Sequence, residues 1–268
     1  MPEITVCTIN CNTSRYIQLQ DHILRRLASS ADFKRQVIDF SPNSEISYFE
    51  KLPNTKAFSV DIGTLWGSDA HGRGVNMILE NIDTEYGLLI DPDAVLLAPE
   101  WDRLLSRELS DGCIAIGSPY PPEYGKQRHQ NFPNACIFFF KVAPLLELAI
   151  DWEPLFPQKY RNLLMALIKY SGIRIQDYEM GWRVPKAFAK KGYVGKSFKY
   201  ITPTDSSAVL LQPESDFQEF HWNGEVVASH QRRSQHEFYG TSHSCAWVDA
   251  LVKYVSDIGI EVKPFVDT

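Results

Sequence analysis

The chain has 268 residues, a net charge of −6, 44% hydrophobic residues and 22% charged residues. These values fit a soluble globule of one large domain, or one domain with an appendage. They exclude a general attraction to nucleic acid or anionic lipid, and no stretch approaches the roughly 20 apolar residues of an integral membrane segment.

The opening MPEITVCTIN reads as a strand, without the basic leader or long apolar run of a signal peptide. Ile4 to Ile9 is β-branched and ends in the polar cluster Asn10 to Ser14, which offers helix N-caps. A helix follows, with Tyr16, Leu19, Ile23, Leu24 and Leu27 on one face. Gln36 to Phe40 is a second strand and Ala57 to Val60 a third, and His71 to Asn76 (HGRGVN) leads into a helix through Met77 and Leu79. The next stretch, EYGLLIDPDAVLLAPE, places a buried strand at Tyr86 to Ile90, then Asp91 and Asp93 one residue apart, then the apolar run Val95 to Ala98.

Strand, helix, strand, helix, strand is the rhythm of a mostly parallel α/β sheet, which binds ligands beyond the C-terminal ends of its strands. Asn10, Asp39, Asp91 and Asp93 all occupy that position. Two hard oxygen ligands there can hold a divalent cation with a substrate's phosphates, although Asp and Pro are also ordinary turn residues.

In the second half, Trp101 to Leu109 reads as a helix and Cys113 to Gly117 as a strand. Ser118 to Pro133 is a long polar loop suited to lining a substrate site, and Ala135 to Phe140 is a strand. Helices are expected at Pro144 to Ile150 and Tyr160 to Tyr170, and another behind the acidic turn at Asp177. The apolar Trp152 to Tyr170 region suits a core helix pair or a surface touching the inner face of a membrane. Val226 to His230 is a strand ending in a histidine, with Arg232 and Arg233 beyond it, and Ala246 to Ile258 is a final amphipathic helix. Cys7, Cys11, Cys113, Cys136 and Cys245 are odd in number and scattered, which suits reduced thiols in a cytoplasmic protein.

Four stretches in this order resemble the inverting family 2 glycosyltransferases, which have the GT-A (nucleotide-diphosphosugar transferase) fold. They are TVCTIN, with Thr8 and Asn10; VIDFSPNS, with Asp39; HGRGVNMILENIDTEYGLLIDPD, with Arg73, Asn76, Asp91 and Asp93; and QDYEMGWRVPKAFAKKGY, with Asp177 and Glu179. Together they span residues 3 to 195. The resemblance implies an α/β fold with a mostly parallel central sheet flanked by helices and a Rossmann-like N-terminal half. It also implies a GT-A domain over 1–205, nucleotide-binding to about 98 and acceptor-binding from 99, followed by an extension over 206–268.

The activity so implied is metal-dependent hexosyl transfer from a nucleotide-diphosphate sugar, with inversion, to a saccharide, lipid-linked or other hydroxyl acceptor. Asp39 would read the base and Asp91 would lie near the ribose, with Thr8, Asn10, Arg73, Asn76, Arg232 and Arg233 around the donor. Asp93, supported by Asp91 and a late histidine, His230, would hold manganese or magnesium. His221, His236 and His243 compete with His230 for that role. Asp177 would be the general base, or Glu179 if the register shifts by two, since Gln176 and Glu179 depart from the family's acids. A sugar-phosphate nucleotidyltransferase and a non-catalytic nucleotide-sugar binder are the rival classes.

Overall fold

The structure is a computed structural model, and it describes residues 3–122, 131–157, 160, 163–164, 179–231 and 243–262. The N-terminal half runs β1 (Ile4–Asn10), α1 (Ser14–Leu27), β2 (Lys34–Asp39), α2 (Ile46–Phe49), β3 (Thr55–Ser59), α3 (Gly67–Leu79) and β4 (Tyr86–Ile90). Then come β5 (Ala94–Leu96), α4 (Trp101–Glu108), β6 (Cys113–Gly117), β7 (Ile137–Lys141) and α5 (Val142–Leu146). The last described elements are α6 (Val184–Lys191), β8 (Val194–Ser197), β9 (Lys199–Ile201), β10 (Phe217–Trp222), β11 (Glu225–Gln231) and α7 (His243–Asp257).

Among the described residues, seven strands form the main sheet in the order β3-β2-β1-β4-β7-β6-β8. The first four are parallel, and β7 runs antiparallel to both β4 and β6. Strands β1 and β4 are buried throughout, because helices cover both faces of the sheet. Successive side chains alternate between two cores. Val6, Leu88, Ile90 and Phe139 join α1, α4 and α7 on one face, while Cys7, Ile9, Leu89, Phe138 and Phe140 join α3 and α6 on the other.

A second, antiparallel sheet has the order β5-β11-β10-β9. The run expected at Val95 to Ala98 therefore leaves the main sheet after the Asp91–Asp93 turn and opens the second one. Residues beyond 206 share the first core: Phe220, Val227, Trp247 and Leu251 pack with Leu96 and Tyr16. The helix expected over 144–150 forms earlier, as α5, and Ala149 is in the left-handed region at φ 47°. The helix expected over 160–170 lies largely outside the described residues. Among the described residues, no helix is long and apolar enough to cross a membrane.

Candidate active site and cation centre

The hinge between the two sheets is the Asp91-Pro92-Asp93 turn. It is closed by the Ala94 N–H donating to the Asp91 carbonyl at 3.1 Å. Pairing of β5 with β11 sets His230 opposite Ala94, and the Gln231 N–H donates to the Asp93 carbonyl at 2.7 Å. A histidine far along the chain is thereby brought against both acids. His230 Nε2 lies 3.5 Å from Asp93 Oδ1 and 3.9 Å from Asp91 Oδ2. Its Nδ1 lies 2.7 Å from Gln218 Oε1, a contact that orients the ring with Nε2 toward the two carboxylates.

Two further side chains complete the cluster. His71, from α3, places Nε2 3.4 Å from Asp91 Oδ1. Cys136 stands beside β4 because the Asp91 N–H donates to its carbonyl at 2.8 Å. Ligand atoms of Asp91, Cys136 and His230 all lie within 4.8 Å of one another. Burial pushes the Asp91 carboxyl up, His71 and His230 pull it down, and the Asp93 charge raises it again. Burial also holds the Cys136 thiol well above its usual range, and Asp91 and Asp93 reinforce the effect.

This donor set fits a divalent cation. Asp91 Oδ1 is buried without a hydrogen bond, two carboxylates crowd one imidazole, and an added positive charge would relieve all three. Among the competing histidines, His221 is buried and bound to Glu219 Oε1 at 2.6 Å. His236 and the side chain of His243 lie outside the described residues.

Glu179 lines the same cleft of about 200 Å³ as Asp91, His71, Cys136 and His230. Its wall is held by residues 151–153. The Gly181 N–H donates to the Trp152 carbonyl at 3.0 Å, and Arg183 Nη1 donates to the Glu153 carbonyl at 2.8 Å. Arg73 and Asn76 face this same segment. Arg73 Nε pairs with Glu153 Oε1 at 2.5 Å, Asn76 Nδ2 donates to Asp151 Oδ1 at 3.0 Å, and the Trp152 N–H donates to Asn76 Oδ1 at 3.0 Å. Burial opposes ionisation of Asp151, but the Asn76 amide, the Glu153 N–H, Arg183 and Arg73 together hold its carboxyl below the ordinary range. Asp177, Arg232 and Arg233 lie outside the described residues.

Asp39 sits at the end of β2 with Asn10 opposite it at the end of β1. It is fully buried. Its Oδ1 accepts from Asn10 Nδ2 at 2.8 Å and the Ser41 N–H at 3.0 Å, and its Oδ2 from the Glu45 N–H at 2.7 Å and Ser44 Oγ at 3.2 Å. Asp39 thus builds the loop at this edge. Thr8 is buried one layer below, where its Oγ1 accepts from Arg35 Nη1 at 3.3 Å.

His71, Cys136 and Gln218 carry no signal in the sequence. His71 heads the HGRGVN stretch, but helical periodicity alone does not aim it at Asp91. Cys136 and Gln218 reach the site through strand pairings between distant segments.

No protein-family model and no curated protein matches the chain. Solved structures do. A mannosyltransferase from Pyrobaculum calidifontis, solved with GDP-Man and Mn2+, superposes over 98% of this chain with a TM-score of 0.51 at 14% identity. This chain covers 66% of that protein's length. Glucosyl-3-phosphoglycerate synthase from Mycobacterium tuberculosis, in complex with Mn2+, UDP and phosphoglyceric acid, aligns over 94% of this chain and 78% of its own, with a TM-score of 0.47 at 14% identity. The seven-stranded sheet with its reversed β7, the Asp-x-Asp turn at the end of β4 and the superposition on the mannosyltransferase agree that the chain has the GT-A fold of the nucleotide-sugar glycosyltransferases.

Proposed function

We propose that the protein is a metal-dependent glycosyltransferase that moves a sugar from a nucleotide-diphosphate donor to an acceptor hydroxyl with inversion. The observation that carries this reading is the meeting of Asp91, Asp93 and His230 at the hinge of the two sheets, with Glu179 lining the same cleft. Asp91, Asp93 and His230 would hold manganese or magnesium, which when bound neutralises charge on the leaving diphosphate. Arg232 and Arg233, which follow β11, would add charge-assisted contacts to those phosphates.

Asp177, two residues before Glu179, is the proposed general base, with Glu179 the alternative. The base takes the proton of the acceptor hydroxyl as that oxygen bonds to the anomeric carbon. The bond from that carbon to the phosphate oxygen breaks, and nucleoside diphosphate departs with the electron pair. Attack from the face opposite the leaving group gives the inverted product. Asn10 and Asp39 act for the nucleotide by shaping the strand-end loop, and Thr8 acts from one layer below through its contact with Arg35. Arg73 and Asn76 act by bracing the 151–153 segment. The acceptor is a saccharide, lipid-linked or other hydroxyl compound whose hydroxyl fits this cleft.

The test is incubation with a panel of nucleotide sugars and manganese, reading release of nucleoside diphosphate. Release should require the metal and fall about 100-fold or more in Asp93→Asn. Asp177→Asn should abolish release while donor binding persists. Pyrophosphate formed from a nucleoside triphosphate and a sugar phosphate would assign a nucleotidyltransferase instead. Donor binding without release of any product would assign a non-catalytic binder.

A further inference from the structure

The cation centre carries a sulfur donor that manganese and magnesium do not need. Cys136 Sγ, an Asp91 carboxylate oxygen and a His230 ring nitrogen lie within 4.8 Å of one another. Tetrahedral zinc, with bonds of about 2.0–2.3 Å, sets its donor atoms roughly 3.3–3.8 Å apart, so the three would draw in by little more than about 1 Å. Each donor is held from behind. Gln218 orients the His230 ring, and the Asp91 N–H bonded to the Cys136 carbonyl fixes the two backbones against each other. One sulfur, one nitrogen and one oxygen is a ligand set for a borderline metal, whereas carboxylates alone suit magnesium and manganese.

We infer that Cys136 gives this centre a second coordination mode, in which zinc binds through Asp91, Cys136 and His230 and competes with the manganese or magnesium of the transfer reaction. The inference rests on the reading of this cluster as a cation centre and needs no donor or acceptor sugar. As zinc binds, the Cys136 S–H bond breaks, the proton passes to solvent and the sulfur pair forms the Zn–S bond. The metal is neither oxidised nor reduced. Asp93, 3.5 Å from His230 Nε2, is placed to fill or leave open the fourth position. Zinc held by the thiolate therefore sits on the same carboxylate and imidazole as the catalytic ion and excludes it.

The purified full chain is titrated with cobalt(II) as a spectroscopic stand-in for zinc. A near-ultraviolet thiolate-to-cobalt charge-transfer band should grow to one equivalent and vanish on adding zinc. The band should be lost in Cys136→Ser but kept in Cys11→Ser. Zinc affinity, read by competition with a chromophoric chelator, should fall about tenfold or more in Cys136→Ser, with manganese affinity changing less than about twofold. Absence of the band in the wild-type chain overturns the proposal, as does its persistence in Cys136→Ser or equal zinc affinity in the two proteins. A failed sugar-transfer assay alongside a Cys136-dependent band would overturn only the transferase reading.

Discussion

Gln20 Nε2, from the middle of α1, donates to the main-chain carbonyl of Asp91 at 2.7 Å and to that of Ala94 at 2.6 Å. One amide therefore spans the turn that carries both acids. Its Oε1 is in turn fixed by Arg35 Nη1 at 3.0 Å, and Arg35 Nε is bound to Asp21 Oδ1 at 2.8 Å. The acid pair is thus tied, through buried polar groups, to the first helix and the second strand.

Replacing Gln20 with Leu keeps the volume and removes both clamps. The Asp91 and Ala94 carbonyls each lose a buried donor, and Arg35 Nη1 loses one of its two acceptors while keeping Thr8 Oγ1, so stability should fall by about 1–3 kcal/mol in urea unfolding. Gln20→Leu should also weaken manganese binding measured on the folded protein. Unchanged manganese affinity would show that the turn holds its shape without the amide.

Arg35 is wholly buried and pairs with Asp21, which also accepts from Arg25 Nε at 2.8 Å. Burial lowers the Arg35 pKa, and Asp21 works against that. Removing one partner of a buried pair strands the other, so Arg35→Met and Asp21→Asn should each cost about 3–5 kcal/mol. The double substitution should cost clearly less than the sum, because it removes both charges. Additive losses in denaturant titrations would refute the coupling.

Asp39 is surrounded by donors on both oxygens. In Asp39→Asn, one face of the amide must present N–H to N–H. A loss of about 2–4 kcal/mol is expected, with the strand-end loop loosened. A neutral effect on the melting temperature would mean that the loop reorganises freely.

Gly72 is the point where α3 meets the 151–153 segment. A Cβ there would stand 2.8 Å from both Glu153 Cα and the Trp152 carbonyl. Both obstacles are backbone, so Gly72→Ala must push the helix and segment apart, at about 1–3 kcal/mol. The displacement moves His71 and the Glu179 wall together, and manganese affinity should drop with stability. Wild-type values for both would contradict this close approach.

Cys7 is fully buried in β1, and burial pushes its thiol from 9.0 to about 12, against a smaller downward pull from Arg35. The folded pKa exceeds the unfolded one. The thiol's contribution is therefore complete below about pH 9 and is lost as pH rises from 9 toward 12. The stability difference between wild type and Cys7→Ala should shrink across that window, since other titrations cancel in the comparison. In the native state at pH 8, Cys7 should not react with thiol reagents. Rapid labelling without unfolding would disprove its burial.

Much of the frame was legible in the residues. Contiguous apolar runs such as Ile4–Ile9 and Tyr86–Ile90 have no stable place except a strand covered on both faces, and the acids after them must then fall at the sheet's C-terminal edge. Asp91, Asp93 and His230 could be named because each ends or follows such a strand. What the residues could not disclose depends on pairings between distant segments. Antiparallel β7 beside β4 brings Cys136 to Asp91, and β11 beside β5 sets His230 opposite Ala94. Local periodicity says which residues share a face but not what that face meets. Arg73 and Asn76 turn to Glu153 and Asp151, and His71 to Asp91, only once α3 is packed. Sequence settled the elements and their edge because local burial dictates both; tertiary packing decided the membership of the site, because His71, the Asp91–Asp93 turn, Cys136, Glu179 and His230 come from five separate stretches of chain.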